Sequence, residues 1–456
     1  MNTLAPNRDR QNTRYLVFLT TVASLGGFLF GYDTAVISGT TDFLQERFQL
    51  TDLELGWAAA SALVGCIIGS ASAGYFSDRF GRRKALLLAA IFYTVSALGS
   101  AIPMNLTQLS LARIIGGIGV GAASVLSPLY IAEIAPEKIR GRLVTLVQIA
   151  ILTGMIVVYY VNAQIAAAGD TPWNVRAGWR WMFGSETLPA LLFWAALYFV
   201  PESPRWLIKQ GFLDRGLAVL ARIGGTSHAQ TELAAIRETL SHEQGRFQEL
   251  FQPRYTRVLI IGIGLSILCQ ATGINVIMYY APRIFVSAGL DRTSAMTQTV
   301  LIGLTQFVFT CIAFRMVDGM GRKICLLLSV AGMGIALFAL GGAYRQEHPH
   351  GILLLTCVLG YVASFAIGMG AVPWIILSEI YPTRLRGRAM SLAIFFIWFT
   401  NFWVSQLFPL MLKTMRENVF WLYAAICVFT FLFIWRIIPE TKGKSLEQIE
   451  HELLGI

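Results

Sequence analysis

This sequence carries little charge: Asp, Glu, Lys and Arg make up 14% of its 456 residues. A soluble globular chain carries about 25%, so a surface solvated all round is excluded. Histidine is scarcer, with five copies (His228, His242, His348, His350, His451), and none lies in a long apolar run. A proton relay inside those runs must therefore use carboxylates. The six cysteines (Cys66, Cys269, Cys311, Cys325, Cys357, Cys427) lie in or beside apolar runs at no metal-ligand spacing. They imply small buried side chains, not a disulfide framework or a metal site. There is no G-x-S-x-G stretch and no His cluster, so an enzyme would lack its nucleophile or metal set, and no cofactor is expected. Alternating segments of about 10 residues are also missing, which excludes a transmembrane barrel.

What is present is apolar: 55% of the residues, gathered in runs of about 20, enough to cross roughly 30 Å of hydrocarbon as helix. Twelve spans are expected, near 15–38, 55–77, 85–102, 107–131, 143–167, 181–200, 256–281, 296–317, 324–344, 351–377, 389–412 and 419–438. The fold class is all-α membrane. The first 14 residues are polar, with Arg8, Arg10 and Arg14, and no A-x-A-like site closes the span that follows. That span is expected to persist as a signal anchor. Lys and Arg cluster on the side of the termini, which by the positive-inside rule places both termini in the cytosol. The net charge of +10 is therefore topology, and no nucleic-acid partner is expected.

The chain also repeats itself. DRFGRRK at 78–84 returns as DGMGRK at 318–323, and EIAPEKIRGR at 133–142 as EIYPTRLRGR at 379–388. PESPRWL at 201–207 has a weaker echo in PETKGKSL at 439–446. Three echoes in one order divide the chain into a six-helix bundle at 1–200, a cytosolic helical linker at 201–255, a second bundle at 256–438 and a cytosolic tail at 439–456. Parallel six-span repeats suit a transporter whose site lies between two bundles.

These stretches resemble the sugar-porter branch of the major facilitator superfamily over essentially the whole length. GYDTAVISGT (31–40), GYFSDRFGRRK (74–84), RIIGGIGVG (113–121), YIAEIAPEKIRGR (130–142), GINVIMYYAP (273–282) and LSEIYP (377–382) carry the resemblance, with the two segments beginning PES and PET. It implies a monomeric inner-membrane carrier working by alternating access. The expected partners are a monosaccharide, a proton and the lipid bilayer. An uncoupled facilitator, or a symporter of a polyol or other neutral solute, is the alternative.

Asp33, Arg113 and Glu186 are the ionisable groups that hydropathy buries in spans, all at one depth in the first half. A lone charge at mid-membrane costs roughly 2.5–3.5 kcal/mol, so the three are expected to pair. They form either a static tie or a proton switch. The resemblance implies the switch, because its proton-coupled members carry an aspartate at the position of Asp33 and its uniporters a neutral residue.

For the solute, uncharged polar groups beside aromatic faces are expected. Span 7 offers Gln270, Asn275 and Tyr279, with Gly273 as a break between the first two; Gln306, Trp374, Trp398 and Asn401 come from spans 8, 10 and 11, and Gln148 from span 5. Gln148, Gln270, Asn275 and Trp374 match sugar-contacting positions of xylose and glucose porters. Cys269, Met155 and Ile397 depart from that pattern, each replacing a glutamine, so the cavity should be less polar and the particular sugar stays open.

The cytosolic loops suggest a latch. Asp78 sits at the wrong end of its own helix dipole and wants an external cation, expected from the amino end of span 11. Its twin Asp318 would meet span 5, and Gly74 would admit a close neighbour. With Arg82 and Arg322 in the same loops, Glu133, Arg142, Glu379 and Arg388 are expected to form ion pairs between the bundles.

Overall fold

The computed structural model describes residues 12–241, 247–346, 351–382, 384–444 and 446–454. Arg8, Arg10, His242, His348 and His350 fall outside that set, as do the side chains of His228 and Asp318. The apolar runs form helices because no water remains to satisfy their backbone groups in hydrocarbon. Span 1 is Thr13–Val36, followed by Asp52–Phe80, Arg82–Ala101, Leu106–Ile134 and Arg140–Ala168 as spans 2 to 5. In the second half, Arg292–Met320, Arg322–Tyr344, Arg386–Met415 and Asn418–Ile437 are spans 8, 9, 11 and 12.

Three spans are broken, and the breaks shape the centre of the molecule. Span 7 runs as Thr256–Ala271 and Ile274–Ser287, turned at Gly273, whose φ of +91° lies in the left-handed region. Span 10 runs as Gly351–Ile367 and Val372–Ile380. The sixth segment, expected as one helix, is instead Trp179–Gly184 and Thr187–Leu197. Pro189 lacks an N–H and crowds the carbonyl four residues back, at Ser185, so the chain turns at Ser185–Glu186. Eleven helical segments among the described residues are therefore long and apolar enough to cross a membrane, and the broken sixth is not one of them.

Two further prolines free carbonyls that distant tyrosines then satisfy. Pro282 releases Met278 O, which accepts from Tyr159 Oη on span 5 at 3.0 Å. Pro409 releases Ser405 O, which accepts from Tyr280 Oη at 2.9 Å. The first of these bonds joins the two halves. Span 2 meets span 11 through Gln406 Nε2 donating to Leu53 O at 2.8 Å and Trp57 against Phe402, and span 1 meets it through Phe30 against Trp398.

The other end holds the connecting segments. Helices Pro204–Lys209 and Leu213–Ser241, the latter kinked at Gly225, share a small core of Ile208, Leu220, Ala229 and Ile236. Asn12 N donates to Ile223 O at 2.9 Å, and the last helix, Leu446–Leu454, lies at the same end. A short helix that hydropathy does not announce, Thr41–Phe48, follows span 1 at the end opposite the termini.

Candidate functional site

Span 1 delivers Asp33, fully buried, and span 4 delivers Arg113 beside it. Arg113 Nη1 donates to Asp33 Oδ1 at 2.7 Å, and Nη2 donates to the Asp33 carbonyl at 3.0 Å. The guanidinium also lies 5.6 Å from the Phe183 ring centre, so an aromatic face covers the cation. Glu186, at the break of the sixth segment and 1% exposed, is within electrostatic reach of both partners. Tyr32 and Ser185 hydroxyls, 2.8 Å apart, tie that break to span 1. One guanidinium thus faces two carboxyls, and a single proton makes the trio neutral. That arrangement becomes neutral on binding one proton and carries one net negative charge on releasing it, so its protonation is tied to its exposure to water.

The uncharged polar groups come mainly from spans 7 and 11. The turn at Gly273 brings Asn275 Nδ2 to Gln270 Oε1 at 2.6 Å, a pairing that a straight helix would forbid to residues five apart. Asn401 Nδ2 reaches Tyr279 Oη at 3.5 Å and Asn401 Oδ1 accepts from Ser405 Oγ at 3.0 Å. Gln306 Oε1 is buried with no hydrogen-bond partner among the described residues. Gln148 is half-buried, Trp398 lies against Phe30, and Trp374 is 42% exposed on the second piece of span 10. Trp398 against Phe30 sets the uncharged cluster on span 1, the helix that carries Asp33.

Of the three departures, Cys269 keeps a weak link to the cavity, its sulfur accepting from Gln270 Nε2 at 4.0 Å. Its thiol donates to Met369 O at 3.4 Å, at the break of span 10. Met155 and Ile397 are buried apolar side chains.

At the end that carries the termini the charges pair within each half, not between halves. Arg82 grips Glu133 with Nε and Nη2 at 2.9 Å and reaches Asp78 with Nη1 at 2.8 Å. Asp78 takes its second cation from linker Lys209 at 3.4 Å, not from span 11. Arg322 pairs with Glu379 at 3.2 Å. Arg142 and Arg388 have no ion pair among the described residues, and Gly74 faces open space. Among the described residues the expected cross-bundle pairs of Glu133, Arg142, Glu379 and Arg388 do not form in this arrangement, because the halves meet at the other end.

One further acid completes each loop. Glu202 Oε1 accepts from Arg82 N at 2.7 Å and Arg83 N at 3.0 Å, capping the amino end of span 3. Glu440 does the same for Arg322 N at 3.0 Å and Lys323 N at 3.1 Å on span 9. Their signal was visible: the echo of 201–207 in 439–446 keeps an acid after proline. The preceding glycines, Gly81 and Gly321, both adopt φ +99°, and a Cβ there would strike the capping carboxylates.

Comparison with known proteins places this geometry. Residues 19–453 match the family described as "Sugar (and other) transporter". The chain is 43% identical to the D-xylose-proton symporter of Escherichia coli, with 96% of each chain covered. It is 40% identical to the arabinose-proton symporter of Bacillus subtilis, covering 96% of this chain and 94% of that one. Among solved structures, the inward-open E. coli xylose transporter superposes with a TM-score of 0.87 at 42% identity, covering 96% of this chain and all of that one. The same major facilitator superfamily symporter bound to 6-bromo-6-deoxy-D-glucose gives 0.80, also at 42% identity, over 97% of this chain and all of the other.

Proposed function

The chain belongs to the sugar (and other) transporter family and is a multi-pass membrane protein, and from that premise we propose proton-coupled symport of a monosaccharide by alternating access. The observation that carries the reading is the buried Asp33–Arg113 pair at 2.7 Å with Glu186 in reach. A static tie would need one carboxylate for one guanidinium; the second carboxyl gives the site a proton to exchange.

The two bundles are 1–200 and 256–438, joined by the linker at 201–255, with the tail at 439–456. Both termini lie in the cytosol of an inner-membrane protein, and a monomer suffices. Gln148, Gln270, Asn275, Tyr279, Gln306, Trp374, Trp398 and Asn401 receive the sugar. Asp33 loads a proton from outside while its link to Arg113 is open and releases it inward when the link reforms. Asp78, Arg82, Glu133, Arg142, Asp318, Arg322, Glu379 and Arg388 gate the cytosolic side. The resting arrangement reads as inward-facing: bundle contacts lie at the outer end, and the likeness is greater to the inward-open relative than to the sugar-analogue complex.

Substrate class is tested by thermal stabilisation of the purified protein across pentoses, hexoses, deoxy sugars and polyols. A ligand at 100 times its Kd stabilises by about 2.7 kcal/mol, a readable rise in Tm. At least one pentose or hexose is expected to give it. A response confined to polyols would overturn the sugar assignment. Alkalinisation of a weakly buffered medium on adding that sugar to cells separates symport from facilitation.

A further inference from the structure

At the outer end the two bundles present opposite charges to each other. Three acids stand on the first half: Asp42 and Glu46 on the short helix Thr41–Phe48, and Asp52 at the start of span 2. Three bases stand on the second: Arg283 on the outer piece of span 7, Arg292 at the start of span 8 and Lys413 near the end of span 11. Arg283 is at the centre. Its Nη1 lies 3.4 Å from Asp42 Oδ1 and also donates to Gln45 Oε1, while Nη2 lies 3.3 Å from Asp52 Oδ1. Lys413 Nζ reaches Asp52 Oδ2 at 2.9 Å, and Arg292 reaches Glu46 at 3.2 Å.

We propose that Arg283 is a positioning residue that locks the outer gate, holding the outer piece of span 7 against the first bundle in the inward-facing state. Geometry gives it that leverage. The piece Ile274–Ser287 hinges at Gly273 and carries Asn275 and Tyr279 at its inner end. Arg283 lies eight residues beyond Asn275, about 12 Å along the helix. Releasing the guanidinium frees the piece to swing and moves the groups that face the sugar. Opening the outer mouth must separate all six charges into an acidic lip and a basic lip. The arrangement costs separation work that the cytosolic loops do not share, since their ion pairs stay within one half. An open cleft of about 520 Å³, lined by Asp42, Gln45, Glu46, Arg283 and Arg292 among others, lets salt reach the cluster.

The test is an outer-end distance. Spin labels at Met104→Cys and Ile352→Cys, both strongly exposed on opposite bundles, report the separation in purified protein carrying Cys311→Ser. Neither sugar nor a proton gradient is needed, so the outcome stands apart from the transport reading. The parent should give mainly the short distance, and Arg283→Gln should raise the ratio of long to short roughly threefold or more. Arg283→Lys, which keeps the charge, should restore most of the short population. Sodium chloride at about 1 M, where charges are screened beyond roughly 3 Å, should shift the parent the same way and Arg283→Gln less. A cooperative thermal unfolding transition in each variant confirms folding. An unchanged distribution in Arg283→Gln, or an equal salt response in both, would overturn the lock.

Discussion

Arg113 is the residue on which the burial energetics turn. It is 1% exposed and has two acids within reach, Asp33 in contact and Glu186 nearby. Removing one partner of a buried pair usually costs about 3–5 kcal/mol, because the other charge is left uncompensated. Here the second acid changes that expectation. Asp33→Asn should fold nearly as well as the parent, since Glu186 can answer the guanidinium. Asp33→Asn with Glu186→Gln should lose several kcal/mol and fail to accumulate in the membrane. Expression and thermal unfolding of the two variants check this; equal stability of single and double variants would remove Glu186 from the site. The sequence made the three charges legible by hydropathy alone, whereas their pairing needed the packing of three helices. It showed the break at Glu186 only faintly, in Gly184, Ser185 and Pro189 inside an otherwise apolar segment.

Among the elements, the twin caps give the sharpest expectation. Burial pushes the Glu440 carboxyl up, but hydrogen bonds from the backbone N–H groups of Lys442, Arg322, Lys323 and Thr441 outweigh it, and the net shift is downward. A depressed carboxyl stabilises above the ordinary range near pH 4.3 and loses its contribution as pH falls through its own lowered value. The tail should therefore stay docked on span 9 at mildly acidic pH and loosen only below that range. Hydrogen exchange at Arg322 and Lys323, corrected for intrinsic rates, reads this directly, and Glu440→Gln should show fast exchange already at pH 7. Unaltered protection in Glu440→Gln would mean that the cap contributes nothing. Span limits were readable to within a few residues because each helix must match the hydrocarbon thickness. The breaks were only partly readable. Gly273 announced one, but the capture of Met278 O by Tyr159 and of Ser405 O by Tyr280 depends on which helices become neighbours. The outer charges were counted for topology alone, so the pairing of Arg283 with Asp42 and Asp52 went unseen until the bundles were assembled.

For the whole molecule, alternating access means that the two ends take turns in holding the bundles together. In the present arrangement the outer end does so, through Gln406 on Leu53 and the cluster around Arg283, while Arg142 and Arg388 have no ion pair among the described residues. Cysteines placed at Arg142 or Arg388 should therefore react readily with thiol reagents at the end that carries the termini. An inward-open inhibitor should leave that rate unchanged, and an outward-directed one should slow it several-fold. Equal, slow labelling under all conditions would place the resting protein in the other state. The claim that binds the scales together is that Asp33 carries the proton that drives sugar uphill, and transport by Asp33→Asn in sealed proteoliposomes tests it most directly. With an inward proton gradient the parent should accumulate its sugar above equilibrium, while Asp33→Asn should only equilibrate it yet still exchange labelled for unlabelled sugar. Accumulation by Asp33→Asn at the parent's level would contradict the account.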